Sequence, residues 1–134
     1  ETGTYLVQVS GTYFDELSGT TSASAATLTS LQNLDGSGSI ANVNLLTHIV
    51  ATRTIALVAS SGSVAAARTQ AETELSTSLG TLGIDLNGTS TEELDLYDPE
   101  NGGSLIAVST LLLSVAELRA QSADQLVEDV VANL

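Results

Sequence analysis

The sequence predicts an α+β fold: an N-terminal β-hairpin, part of an incomplete β-sandwich, followed by about four mostly antiparallel α-helices. The hydrophobic pattern near the N-terminus repeats every second residue, as in a strand, and after Asn44 it takes the period of a helix. Short stretches rich in glycine and serine then interrupt the helical part. We expect a hairpin part over residues 1–41 and a helical part over residues 42–134, packed together as one unit.

The hairpin begins with the stretch TYLVQVSGTYFDE, in which β-branched and aromatic residues dominate. Tyr5, Val7 and Val9 alternate with Leu6, so apolar side chains occupy both faces of this strand. Such a pattern is typical of a strand buried inside a larger sheet. We therefore predict that these four residues form an interface with strands from outside this sequence, supplied upstream in a longer chain or by a neighbouring subunit. Gly11 predicts a bulge or a close backbone approach.

A turn at Leu17–Thr21 ends the first strand, and Gly19 is free to take a positive φ there. The stretch SASAATLTSLQNL returns as the second strand, with Leu28 as its core anchor. Because a two-stranded hairpin is marginally stable on its own, we expect further strands or the helices to cover it.

Four stretches predict four helices. The first begins after Asn44, and a break at Ser60–Ser63 separates it from the second, which Ser63 caps. The stretch SLIAVSTLLLSVAELRA is apolar almost all round, which predicts the most buried helix. Ser122 and Gln125 form a capping box for the last helix. The predicted core faces are Leu46, Val50, Arg53 and Leu57; Val64, Ala67, Ala71, Leu75 and Leu79; and Leu126, Val127, Val130, Val131 and Leu134.

The charge balance excludes several partners. The chain has three Lys or Arg residues, all arginine, against 16 Asp and Glu residues, for a net charge of −13. Nucleic acids and anionic membranes attract proteins through basic residues, so neither is an expected partner. The absence of cysteine excludes disulfides and thiolate metal sites, and no apolar run predicts a transmembrane segment. Repulsion between acidic surfaces suits a protein that stays soluble outside the cell.

Two loops are candidate calcium sites. The loop from Asn33 to Asn44 starts like a calcium loop of the EF-hand or dockerin type, but Asp35 is its only carboxylate and Asn44 occupies the position of the clamping acid. We interpret this loop as a turn between a strand and a helix. The stretch EELDLYDPENGG is the better candidate for Ca²⁺, and an acidic surface loop without metal explains it equally. Its proposed ligands are Glu92, Asp95, Asp98 and Glu100.

No catalytic motif is visible. His48 is the only histidine, and neither a second histidine nor a cysteine is available to complete a zinc site. A phosphate-binding glycine loop and a nucleophile elbow are both absent. We therefore predict that the protein is not an enzyme and that His48 is structural, hydrogen-bonded where the sheet meets the first helix. Asn87-Gly88-Thr89 is a glycosylation sequon.

Three stretches together resemble a domain found in long secreted proteins and lipoproteins of bacteria, especially of the Bacteroidetes type. They are VSGTYFDELSGTTSASAATLTSL, the segment from ANVNLLTHIV to QAETEL, and SLIAVSTLLLSVAELRAQSADQLVEDVVANL, which cover nearly the whole chain. The resemblance implies a location at the bacterial cell surface or outside the cell, and further strands upstream of the hairpin. It also implies that Asn42 and Asn44 cap the first helix. It implies no reaction. Relatives commonly carry lysines in the first two helices, and this chain carries none.

Two functions remain open on the sequence. The first is a non-catalytic structural module of a bacterial cell-surface or secreted protein, such as a subunit of an extracellular filament assembled by β-strand addition between chains. The alternative is a calcium-assisted module that binds glycan or peptide. In the first case the partners are copies of the same chain or neighbouring domains of a longer one.

Overall fold

The computed structural model describes residues 3–15, 18–34, 41–99 and 102–134, and it confirms the α+β fold. An antiparallel hairpin precedes four helices. The strands are β1 (Gly3–Gly11), β2 (Phe14–Asp15), β3 (Thr20–Thr21) and β4 (Ala26–Leu34), and the helices are α1 (Leu45–Ser61), α2 (Val64–Thr81), α3 (Gly102–Arg119) and α4 (Ala123–Ala132).

The strands β1 and β4 pair without interruption from Gly3 opposite Leu34 to Gly11 opposite Ala26. The predicted bulge at Gly11 is therefore wrong, because this glycine keeps its place in the register. Beyond it, β2 and β3 form a second short antiparallel ladder, and Gly19 in the connecting turn has a φ of 67°. The second long strand begins at Ala26 and not at the predicted Ser22. The Ser22 hydroxyl bends the chain there by accepting from the Tyr13 amide and donating to the Ser24 carbonyl.

The boundaries of α1 and α2 follow the predicted capping chemistry. Asn44 accepts a hydrogen bond from the amide of Thr47, whose hydroxyl in turn accepts one from the amide of Asn44. Gly62 ends α1 in the left-handed conformation, with a φ of 74°, which glycine adopts at little cost. Ser63 then caps α2 by accepting from the amide of Ala66.

An ion pair joins α1 to α2. Arg53 Nε lies 2.8 Å from Glu74 Oε2, and the hydrogen bond from Arg53, helped by one from Gln70, lowers the pKa of Glu74. A carboxyl group with a lowered pKa stabilises the fold above its ordinary pKa. That contribution is lost as the pH falls through the lower value of the folded state.

The core lies between the four helices and the chain segment that precedes α3, and α1 is its centre. Leu46, Ala51 and Thr54 of α1 are fully buried. Val64 lies on the predicted inner face of α2 but is 38% exposed, because it occupies the first turn. The remaining apolar members of the core cluster are Ile49, Val50, Ala71, Leu75, Leu79, Leu86, Leu94, Leu105, Val108, Val127 and Val131.

The prediction that α3 is the most buried helix is wrong. Only Gly102, Leu105, Val108 and Ala116 of α3 are buried, whereas Leu118 is 86% exposed. The helix contacts α4 and α1 on one side, and the rest of its apolar surface faces a groove or solvent. Among the described residues, α3 is the one helix long and apolar enough to cross a membrane, a test that core helices of soluble proteins also pass.

Candidate functional site

Side chains of the helical layer cover the outer edge of β4. The amide of Thr29 donates to His48 Nδ1 at 3.2 Å. The single proton of the Thr47 hydroxyl has two acceptors within reach, the carbonyl oxygen of Asn44 at 2.8 Å and that of Thr29 at 3.3 Å. Two residues further on, the carbonyl oxygen of Leu31 accepts from Arg68 Nη1 at 3.1 Å. Three backbone groups on this side of β4 therefore lie within hydrogen-bond distance of side chains, and α1 packs against the strand.

These bonds also determine which backbone groups of β1 are free. Neighbouring residues of an extended strand direct their N–H and C=O groups to opposite sides. The backbone groups of Thr29 and Leu31 point away from β1. Those of Leu28, Ser30 and Gln32 therefore point towards it. The register then gives the partners in β1 that bond to β4 as Tyr5, Val7 and Val9. The residues whose N–H and C=O groups point outward are Thr4, Leu6, Gln8 and Ser10, which we call the free edge.

Within the described ranges, β1 pairs with β4 alone, so the free edge has no strand beside it. The described residues do not themselves bury β1 on both faces, and its burial by strands from outside this sequence stays a prediction. Leu6 is 54% and Val9 52% exposed, and Val7 is the only half-buried residue of the strand. The apolar pattern of β1 is thus not explained by contacts within these residues. Tyr5, Val7 and Val9 lie on one face of β1 and Leu6 lies on the other, and within the described residues Leu6 and Val9 stay more than half exposed.

The free edge lacks the features that protect edge strands. Soluble proteins place charged residues, prolines or bulges on exposed edges to prevent pairing with other chains. The β1 sequence GTYLVQVSG contains no charge and no proline, and its register is regular. Hydrogen bonds at both ends, from Thr4 to Asn33 at 2.7 Å and from Thr27 to Ser10 at 3.1 Å, tie β1 to β4. The edge is therefore neutral, regular in register and tied to β4 in an extended conformation.

An apolar groove opens between the hairpin and α3, at the end of β1 that carries Val9 and Gly11. Its volume is about 470 Å³. The hairpin contributes Val9, Phe14 and Leu28, and α3 contributes Ile106 and Leu113. Phe14 is 63% and Ile106 45% exposed. The groove lies under the face of β1 that carries Val9, so a strand added to the free edge would carry side chains towards it.

Arg68 links three parts of the molecule near the covered edge. It bonds to the carbonyl oxygen of Leu31 in β4, to Glu72 within α2 at 3.0 Å, and to Glu92 at 2.6 Å. Burial disfavours the charged form of Arg68, but the hydrogen bonds and charges of Glu92 and Glu72 outweigh burial and raise its pKa. The guanidinium therefore stays protonated wherever the protein is folded.

Two asparagines before and at the start of α1 bond to the acidic loop, the stretch EELDLYDPENGG and the residue before it. Asn42 Nδ2 donates to the carbonyl oxygen of Glu92 at 2.7 Å, and Asn44 Nδ2 donates to that of Thr91 at 2.9 Å. Asn44 thus caps α1 as the resemblance implied, whereas the Asn42 amide bonds to the acidic loop.

The three proposed calcium ligands that the structure describes, Glu92, Asp95 and Asp98, are not brought together into a metal site. The Glu92 carboxylate pairs with Arg68, and Asp95 Oδ1 accepts from the amide of Tyr97 at 3.0 Å. The Asp98 carbonyl oxygen accepts from the amide of Gly102, while Glu100 lies outside the described residues. In the part of the chain that the structure describes, no three acidic, histidine or cysteine side chains are placed to hold a metal ion.

The loop from Asn33 to Asn44 lies partly outside the described residues, including Asp35. Its two ends have other roles, since Asn33 accepts from Thr4 across the hairpin and Asn44 caps α1. These contacts favour the interpretation of a turn between strand and helix.

If the chain binds calcium, we expect the acidic loop to respond before the loop around Asp35, because it carries more carboxylates. Calcium titration followed by amide chemical shifts should perturb Glu92 to Glu100 first. Shifts confined to Asp35 and its neighbours would reverse this ranking.

His48 lies at the predicted corner between sheet and helix. Its Nδ1 accepts from the Thr29 amide and lies 2.8 Å from the Thr29 hydroxyl, so the proton of the neutral ring is on Nε2. The imidazole thus replaces a strand partner for β4.

We expect His48→Gln to lower the free energy of unfolding by no more than about 1–2 kcal/mol, the scale of one lost buried hydrogen bond. Chemical denaturation of both proteins measures this difference. A folded variant that had lost a demonstrated catalytic activity would contradict a structural role for His48.

The predicted position of His48 at the corner between sheet and helix agrees with its contacts to the Thr29 amide and hydroxyl. Sequence reasoning missed the contacts of Thr47 and Arg68 with β4. Every second residue of β4 directs its backbone groups away from β1 and needs a partner there. That requirement could have indicated these contacts, but it depends on the register, which the sequence alone does not give.

Comparison with models of protein families, with curated proteins and with solved structures found no match to this chain.

Proposed function

We propose that this chain is a non-catalytic structural module of a bacterial cell-surface or secreted protein, joined to a neighbouring copy by β-strand addition at the free edge. The observation that supports the proposal is the asymmetry of the hairpin. One edge is contacted at Thr29 and Leu31 by the side chains of Thr47, His48 and Arg68, whereas the other presents outward N–H and C=O groups on an uncharged strand. Main-chain hydrogen bonds to such an edge supply affinity, and alternate side chains supply specificity.

The charge distribution supports the same assignment. All charged side chains lie outside β1 and β4, whose sequences are GTYLVQVSG and ATLTSLQNL. The net charge of −13 keeps chains apart over the rest of the surface. Association is therefore directed to the hairpin. A filament would need a second contact elsewhere, since the described sheet offers one free edge.

The experiment compares Gln8→Pro with Gln8→Ala. Gln8 is exposed and its N–H points outward, so proline there removes a donor of the free edge and none of the bonds to β4. Alanine removes the same side chain but keeps the N–H. We expect sedimentation velocity to show concentration-dependent association for the wild type and Gln8→Ala, and loss of association for Gln8→Pro.

Circular dichroism and amide spectra establish that Gln8→Pro keeps the hairpin and helices. Leu6→Pro, at the next outward N–H, provides a second variant if Gln8→Pro is unfolded. A wild-type chain that stays monomeric at near-millimolar concentration, or a folded proline variant that associates as strongly as the wild type, would overturn the proposal.

A further inference from the structure

We propose that the added strand is β1 of a second copy, antiparallel and centred on Val7, so that association through the sheet ends at a two-fold symmetric dimer. This inference rests on the proposed function, and it specifies the partner, the register and the size of the assembly. It comes from the self-complementarity of the free edge.

The backbone restricts the possible registers. Across an antiparallel seam, residues with outward N–H and C=O groups must lie opposite one another to exchange hydrogen bonds. Only Thr4, Leu6, Gln8 and Ser10 meet this condition. Placing Leu6 opposite Gln8 of the second copy, and Thr4 opposite its Ser10, satisfies it along the whole strand. This register leaves no residue of β1 unpaired, because Gly3 then faces Gly11 of the second copy.

The side chains agree with this register. On the face that looks towards the groove, Val7 meets Val7 of the second copy at the two-fold axis, and Tyr5 meets its Val9. Aromatic and β-branched residues form favourable cross-strand pairs. Tyr5 of the second copy, beside Val9, lies over the open groove lined by Phe14 and Ile106. On the other face, the hydroxyl of Thr4 lies opposite that of Ser10.

The covered edge of β4 explains why growth stops. An open-ended sheet needs two free edges per subunit, since β1 of one copy would have to pair with β4 of the next. His48, Thr47 and Arg68 occupy that position on β4. Pairing of β1 with itself uses the same edge twice, so it closes after two copies and forms a four-stranded sheet.

Electrostatics distinguishes this dimer from a complex with a basic partner. The seam carries no charge, but each copy carries a net charge of −13. Added salt screens the repulsion between the two copies. The dimer should therefore become tighter as the salt concentration rises, whereas a complex with a basic partner would weaken.

The register is tested by cysteine cross-linking, for which the chain is suited because it has no cysteine. In the proposed register the two Val7 residues form a non-hydrogen-bonded pair, with Cα atoms about 4.5 Å apart, within the range of a disulfide. Val9→Cys is the matched control, because the two Val9 residues would lie about 13 Å apart along the strands. Oxidised glutathione serves as the oxidant for both variants.

We expect Val7→Cys to form a covalent dimer under conditions in which Val9→Cys does not. A mixture of Tyr5→Cys and Val9→Cys chains should form the mixed dimer. The Gln8→Pro substitution should weaken the wild-type dimer by at least about tenfold, because it removes one hydrogen bond from each half of the seam.

The results separate this inference from the proposed function. Association that depends on the Gln8 amide but exceeds two copies, or that leaves Val7→Cys uncross-linked, contradicts the dimer and leaves strand addition intact. A chain that does not associate through the free edge contradicts both.

Discussion

Replacing Leu46 with alanine should lower the free energy of unfolding by about 2–5 kcal/mol, the range measured for deleting a buried leucine side chain. Leu46 is fully buried at the start of α1, within the central cluster of the core. The packing around it comes from several elements and cannot collapse fully into the space that alanine leaves. Urea denaturation at neutral pH, followed by circular dichroism, measures the loss.

Leu118→Ala is the matched control, since Leu118 is 86% exposed at the end of α3. The same truncation there should change stability by less than about 0.5 kcal/mol. Equal effects of the two substitutions would show that α1 is not the centre of the core.

Removing the charge of Arg68 should have the second largest effect. In Arg68→Met the aliphatic stem is kept, but the carbonyl oxygen of Leu31 loses its donor and Glu92 loses its ion pair. The Arg68 side chain is 16% exposed, so the pair is partly desolvated. We expect a loss of about 2–3 kcal/mol, somewhat below the cost of breaking a fully buried pair. Denaturant titration measures it.

Arg119→Met controls for the loss of an arginine charge. Arg119 Nη1 lies 3.9 Å from Asp129 and both side chains are at least half exposed, so this substitution should cost at most about 1 kcal/mol. A loss for Arg68→Met no greater than that for Arg119→Met would mean that Arg68 does not hold β4 against the helical layer.

Local patterns predicted most of the fold. The caps of α1, α2 and α4 depend on side chains within a few residues of the helix ends, so Asn44, Ser63 and Ser122 could be identified from the sequence. The positive φ at Gly19 was predictable for the same reason. Hydrophobic periodicity predicted the number and order of the helices.

Long-range packing could not be predicted in this way. The apolar stretch of α3 suggested deep burial, but burial depends on what packs against the helix, and in this chain one side of α3 faces an open groove. The same holds for β1, whose apolar faces indicate burial that these residues do not supply. In both cases the apolar pattern indicates a surface that would be more stable if buried. The described structure leaves part of that surface exposed.

The sequence predicts which residues form the candidate interface, but it does not predict the geometry of the edge. Tyr5, Leu6, Val7 and Val9 were selected for their apolar side chains. Contacts of β4 with His48 and Arg68, which are distant in sequence, show which backbone groups of β4 point away from β1. The register then identifies the outward N–H groups of β1 at Leu6 and Gln8.

Residue-resolved amide hydrogen exchange along β1, measured at low and at high protein concentration, tests the free edge most directly. In dilute solution we expect slow exchange at Val7 and Val9, whose N–H groups bond to β4, and fast exchange at Leu6 and Gln8. At concentrations where chains associate, Leu6 and Gln8 should become as protected as their neighbours. Protection of Leu6 and Gln8 in the dilute monomer, or fast exchange there when the chains are associated, would contradict the account.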